Sequence, residues 1–196
     1  MPKVVAGYKE EARKTILDTA TEVFAEKGFQ GATMDDVAKK LGVSKGAVYQ
    51  YFSSKDELFQ ALCGMAATKL EHMLRTSFEG GDLRKSADKA IEVELDRMAK
   101  RQMLMFEALA EAPRNPTLNK VMKANYDACV EVISDFLDAR KEEGKLKKDL
   151  DTVEAARALI ALRHGVLASV LQGLSWQEAK KVWMDGFDAV LRNSMI

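Results

Sequence analysis

From residue 9 to residue 191 apolar positions recur every three or four residues, the spacing that gathers them on one face of an α-helix. Ile16, Leu17, Ala20, Val23 and Phe24 form the first stripe, which predicts a helix over residues 9–27 that Gly28 ends. Thr33-x-x-Asp36 is a capping box and Ser44 a good N-cap, so two short helices should follow. The first turns Val37, Ala38 and Leu41 inward; the second turns Ala47, Val48 and part of Tyr51 or Phe52 inward. Gly42 suits the reversal between them, because a residue without Cβ tolerates positive φ, and Val43 is expected as an apolar plug beneath that turn. Ser54-x-x-Glu57 then opens a long fourth helix through Leu58, Leu62, Met65, Ala66, Lys69 and Met73, and Gly80-Gly81 closes it.

Leu83, Ala87, Ile91, Leu95 and Met98 make the next stripe, and Met103, Met105, Phe106 and Leu109 a shorter one broken by Pro113-Arg-Asn-Pro116. Leu118, Met122, Tyr126, Cys129, Ile133, Phe136 and Leu137 define a long helix, and residues 141–148 around Gly144 a solvated turn. Asp151-x-x-Glu154 and Ser175-x-x-Glu178 cap the last two helices, with Gly173 between them. The expected fold is all-α with about nine helices. Residues 1–53 make an N-terminal arm and three-helix domain, 54–80 a connecting helix, and 81–196 a helical bundle.

The last two helices carry broad apolar faces: Leu159, Leu162, Val166, Leu167, Val170 and Leu171 on one, Trp183, Phe187, Val190 and Leu191 on the other. Faces this wide suit a twofold homodimer interface, with close helix approach at Gly165, although they can also fill the core of a single chain.

The second short helix leaves Lys45, Gly46, Tyr49 and Gln50 facing outward. Core packing does not require Lys-Gly at a helix start followed by two tyrosines. Two short helices joined by a tight turn, the second with a polar and aromatic outer face, are the layout of a helix-turn-helix over residues 33–52 that reads a DNA major groove.

Over residues 10–70 the chain resembles the TetR family of bacterial and archaeal transcriptional regulators. The resemblance rests on Phe24-x3-Gly28-Phe29-x3-Thr33, on Val37-Ala38-x2-Leu41-Gly42-Val43-Ser44-Lys45-Gly46, and on Tyr49-x-Tyr51-Phe52-x2-Lys55-x2-Leu58. It implies an operator in double-stranded DNA, a homodimer and a small-molecule effector bound in the larger domain. In that reading Lys45 and Gly46 approach base edges, flanked by Ser44 and Ala47. Tyr49 and Tyr51 resemble the family's phosphate-binding tyrosines, and Thr33 and Lys55 its other backbone clamps; Gln50 takes either a base or the backbone. It also implies that effector binding selects a dimer whose recognition helices no longer match successive major grooves, with the fourth helix as lever and residues 113–116 as the junction the ligand perturbs.

Composition fits a well-cored helical protein, with 47% hydrophobic and 31% charged residues and only three prolines. Charge does not help the DNA reading: the whole chain is formally neutral. Residues 1–60 hold nine lysines and arginines against nine acids, so weak nonspecific binding is expected and a bivalent dimer has to compensate. No apolar run nears the roughly 20 residues that span a membrane, and no signal peptide is evident, which makes the cytoplasm the expected compartment. Cys63, Cys129, His72 and His164 are isolated, without disulfide or metal spacing. No phosphate loop, metal cluster or nucleophile set suggests an enzyme, and no cofactor or catalytic residue is expected. The alternative is a helical small-molecule or protein-binding module with weak or lost DNA binding.

For an apolar or amphipathic effector, Met98, Met105, Phe106 and Met122 are candidate lining residues, since thioethers adapt to irregular ligands and equally fill cores. Asn125, Tyr126, Arg163 and His164 lie at or beside inward stripes and are candidates to orient it.

Overall fold

The computed structural model describes residues 6–77, 82–97 and 99–191, and all their side chains except those of 6, 7, 65–67, 77, 90, 93–97 and 99–103. Among them the chain forms nine α-helices and a short 3-10 turn, and it is all-α as expected. The helices are α1 (Ala6–Gly31), α2 (Met34–Leu41), α3 (Lys45–Tyr49), α4 (Lys55–Ser77), α5 (Leu83–Arg97), α6 (Ala99–Glu111), α7 (Pro116–Glu142), α8 (Thr152–Leu171) and α9 (Trp176–Leu191). The 3-10 turn, Ala112–Arg114, sits at the proline pair that was expected to break the chain. The boundary expected at Gly80-Gly81 lies outside the described residues, as do the side chains of Met65, Ala66, Leu95, Met98 and Met103.

The helices group into two compact units that do not follow chain order: Met1–Met65 with Ala99–Lys123, and Ala66–Met98 with Ala124–Ile196. The core of the first is built on the predicted α1 stripe together with Phe29, Val37, Val48, Phe52 and Leu58. Phe24, Phe29 and Phe59 interlock within it, at ring-centroid distances of 5.0 to 6.2 Å. α6 closes this core with Leu104, Ala108 and Ala112. That corrects the α6 pattern. Leu109, expected inside, is 40% exposed, and the buried stripe runs one residue out of step with the Met105–Leu109 reading. α6 is apolar around much of its circumference, so periodicity alone did not fix its inner face.

The second unit packs α5, α8 and α9 around Leu83, Ala87, Leu137, Ala155, Leu159, Met184, Phe187 and Leu191. Arg84 binds Asp188 through its Nε, 2.9 Å from Oδ2, and Lys180 bridges to Asp88 and Glu92. Within the chain, close helix approach falls at Gly186. A Cβ at 186 would stand 2.6 Å from both Leu162 methyl carbons, while nothing lies within 4 Å of one at 165. The turn at 141–148 is also less solvated than expected, because Leu146 is buried and Lys141 Nζ donates to the Leu150 carbonyl at 2.9 Å.

Candidate nucleic-acid interface

Three local signals build the helix-turn-helix. Thr33 Oγ1 accepts from Asp36 N at 3.2 Å and Asp36 Oδ2 accepts from Thr33 N at 3.1 Å, which is the predicted capping box. Gly42 takes φ 71°, ψ 26°, and its N–H and that of Val43 satisfy carbonyls of the last α2 turn. Ser44 Oγ then accepts from Ala47 N at 3.2 Å and starts α3. The plug expected at Val43 is not there: its side chain is 45% exposed. The left-handed residue before it directs the chain outward, and Met34 and Val48 are buried in the core instead.

α3 is anchored from behind by Val48 and by Phe52 just beyond its end, both fully buried, while Ala47 and Tyr51 are half-buried. Lys45, Gly46, Tyr49 and Gln50 are brought together on its exposed side, with Tyr49 42% exposed. A Cβ on Gly46 would meet nothing closer than Ser44 Oγ at 4.0 Å, so nothing inside the protein demands glycine there. Lys45 Nζ lies 2.9 Å from Asp35 Oδ1 and 5.7 Å from the centre of the Tyr49 ring. The neighbouring Asp35 carboxylate holds the Lys45 ammonium above its ordinary pKa.

The other expected contacts are placed differently. Lys55 Nζ donates to the carbonyl oxygens of Phe29 at 2.7 Å and Gln30 at 3.2 Å, and lies 4.6 Å from the centre of the Phe29 ring. It thus serves the end of α1 within the chain. Thr33 is exposed, with its hydroxyl engaged by Asp36. The capping box expected at Ser54 is split: Ser54 Oγ accepts from Glu57 N, but the Glu57 carboxylate reaches back to Ser53 N and Oγ.

Two residues had no signal in the sequence. Arg13 on α1 lies 4.2 Å over the Phe52 ring and donates to the Tyr51 carbonyl at 3.1 Å, tying α1 to the end of the helix-turn-helix. Glu107 on α6 accepts from Phe29 N at 2.8 Å, beside Gly28, whose φ of 73° kinks the end of α1. Both join residues far apart in the chain through charged positions, where hydrophobic periodicity is silent.

Part of the charge in the N-terminal region is paired off. Lys27 pairs with Asp36, Lys40 with Glu22 and Glu26, and Lys45 with Asp35. Hydrogen bonding from Lys27, then from Thr33, lowers the Asp36 pKa from 3.8 to about 2. A carboxyl whose folded pKa lies below its unfolded one stabilises above the unfolded value and ceases to as pH falls through the folded one. The melting temperature should therefore drop between pH 3.8 and about 2. Asp36→Asn should remove that component of the drop, and an unchanged melting profile in the variant would refute it.

Comparison with known proteins agrees with this geometry. Residues 16–62 match the model of bacterial regulatory proteins of the tetR family, and residues 83–192 match the C-terminal region of BetI-type transcriptional repressors. The chain belongs to the TetR family. It is a DNA-binding helix-turn-helix regulator, not an enzyme. It is 27% identical over 161 residues to the regulator UidR of Escherichia coli K12, covering 82% of each chain. A family regulator from Rhodococcus sp. superposes with a TM-score of 0.81 at 22% identity, over 93% of this chain and 99% of that one. The complex of SmeT, a repressor of Stenotrophomonas maltophilia, with triclosan superposes with a TM-score of 0.73 at 25% identity, over 95% of this chain and 92% of that one.

The residues expected at the effector divide between the two units. Met105 and Phe106 are half-buried and Met122 is buried in the first unit, while Met98 lies outside the described residues. Asn125, Tyr126, Arg163 and His164 belong to the second, where Asn125 Oδ1 is buried without a hydrogen-bond partner. A groove of about 300 Å³ runs along α7 and α8 there, lined by Tyr126, Asp127, Val130, Glu131, Ser134, Val153 and Arg157. Among the described residues of the expected set, only Tyr126 lines it.

Among the residues expected at a dimer interface, Leu159, Val166 and Phe187 are buried within the chain itself, and Trp183 Nε1 donates to the Ala87 carbonyl at 3.3 Å. Val170, Trp183 and Val190 are half-buried, and Leu171, Trp176 and Val182 add exposed apolar surface nearby in sequence. Cys63 is buried and Cys129 half-buried. Among the described residues no group of His, Cys, Asp or Glu could hold a metal ion, and no helix is long and apolar enough to cross a membrane.

Proposed function

We propose that this TetR-family chain is a cytoplasmic, ligand-responsive repressor that binds a palindromic operator as a homodimer. The observation that carries the proposal is the outward face of α3, where Lys45, Gly46, Tyr49 and Gln50 are presented by a helix anchored on Val48 and Phe52. Lys45 suits guanine O6 and N7, and Gly46 lets the backbone near a base edge, with Ser44 and Ala47 beside them. Tyr49, Tyr51 and Thr33 hold phosphates and set the register, and Gln50 adds a base or backbone contact. Lys55 acts on the same surface by fixing the Phe29–Gln30 segment. Functionally, residues 1–53 read DNA, 54–80 connect, and 81–196 dimerise and bind the effector.

The homodimer forms through α8 and α9, with Val170, Trp183 and Val190 as contacts that the chain leaves partly open. Leu159, Val166 and Phe187 support that face from within. The effector is a small apolar or amphipathic molecule, a class supported by the SmeT–triclosan likeness and by the methionines and polar groups named above. Its binding selects a dimer whose two α3 helices no longer span the about 34–36 Å between successive major grooves.

An electrophoretic shift on operator DNA should be lost in Lys45→Ala and weakened about tenfold in Tyr49→Phe, with the helical melting of both variants unchanged. A shift that survives both substitutions would contradict the reading of α3. Equal operator affinity with and without effector would remove the ligand control alone.

A further inference from the structure

We infer that Asp35 is a positioning residue that sets DNA specificity: it holds the Lys45 ammonium on the protein until a matching base edge takes the carboxylate's place. The inference rests on the reading of α3 as the DNA-contacting helix. Asp35 stands in the first turn of α2 and Lys45 is the first residue of α3, so the turn of the helix-turn-helix itself brings them together. Asp35 Oδ1 lies 2.9 Å from Lys45 Nζ but accepts no well-formed hydrogen bond, and it is shielded from solvent. The pair is an ion pair at the reading surface, with 58% of the lysine side chain and 46% of the aspartate side chain exposed.

Such a pair does little for the fold, since exposed ion pairs are screened by solvent and salt. Nor does Asp35 cap α2, a task that belongs to Thr33 and Asp36. Its effect falls on DNA. A lysine already neutralised by a carboxylate releases fewer counterions when it meets a phosphate, so sequence-independent binding loses most of that contribution. The carboxylate also repels the phosphates around it. A guanine offering O6 and N7 to Lys45 offsets the lost partner with directional hydrogen bonds, and a random sequence does not. Asp35 thus subtracts more from nonspecific than from operator binding. A DNA-binding region with nine basic and nine acidic residues among its first 60 gains selectivity from this arrangement.

The test is a salt series of anisotropy titrations on wild type, Asp35→Asn, Lys45→Ala and the double variant. The probes are a selected operator duplex and a random duplex of equal length. Asp35→Asn is expected to bind the random duplex about tenfold more tightly, with a salt slope steeper by about 1.8 for the two lysines of a dimer. Operator affinity should rise less, so the operator-over-random ratio falls by about threefold or more. In the Lys45→Ala background, read on the random duplex, the same substitution should leave the salt slope unchanged and raise affinity by less than it does in wild type, and thermal melting should show all four proteins folded. An unchanged ratio and slope in Asp35→Asn, with normal operator binding by wild type, would overturn the inference alone. An equal effect in the Lys45→Ala background would overturn it too, since Asp35 would then act as a plain repelling charge. If wild type binds no DNA, or Lys45→Ala binds the operator as tightly as wild type, the reading of α3 falls and the inference with it.

Discussion

Gly46→Ala is expected to stabilise the protein while costing about tenfold in operator affinity per half-site, or about a hundredfold for a dimer. The two effects separate because their causes do. Within the chain, a methyl at 46 meets only Ser44 Oγ at 4.0 Å, and the residue lies in helical backbone. Alanine is preferred over glycine in a helix by about 0.8–1.0 kcal/mol, so thermal stability should rise slightly. On DNA the same methyl projects from the first turn of the reading helix, where the backbone is read as approaching a base edge. Loss of one such contact costs about 1–3 kcal/mol. Melting temperature and operator titration on the same preparation would check both halves. Undiminished affinity would mean that α3 does not come close to DNA at this point.

The second large effect belongs to Gly28. Its φ of 73° lies in the left-handed region, and a Cβ there would stand 2.5 Å from Glu107 Oε2. Gly28→Ala therefore meets backbone strain, and it makes the flexible Glu107 carboxylate swing away and give up Phe29 N. We expect a loss of about 2–4 kcal/mol, read as a lowered urea midpoint. In a Glu107→Ala background there is no carboxylate to displace and only the strain remains, so the same substitution should cost about 1–2 kcal/mol. A full-sized loss in both backgrounds would show that the carboxylate is not what excludes a side chain here.

These two glycines mark how far the sequence reaches. Signals that act within a few residues were legible: the stripe Ile16–Phe24, the caps at Thr33 and Ser44, and the left-handed turn at Gly42 all appear where spacing and side-chain chemistry put them. Gly28 was readable as a helix end, but not as the seat of Glu107, which lies 78 residues further along the chain from Phe29. Local patterns carry no information about such pairings. The placement of α6 in the first unit was hidden for the same reason, since its inner face of Leu104, Ala108 and Ala112 becomes distinct only against α1.

Direction was the other weak point. Periodicity says that a helix has an apolar face, not what covers it. Leu159 and Phe187 lie on faces that suit an interface or the chain's own core, and they are buried in that core, while Leu171 on the same face as Leu159 remains exposed. Lys55 adds a contact that the motif does not reveal: in the free chain it binds the Phe29 and Gln30 carbonyls. Charge counting failed in a more informative way. The nine acids that weakened the DNA reading include Asp35, Asp36, Glu22 and Glu26, each paired with a lysine of the helix-turn-helix or of α1. These four acids are matched to three lysines, Lys45 on the reading face among them.

The most direct test is selection of genomic fragments on the purified protein, followed by footprinting of those retained. The account predicts a protected palindrome with half-sites about one helical turn apart, or a multiple of it, and loss of that protection in Lys45→Ala. No enrichment over bulk DNA, even at low salt, would contradict it.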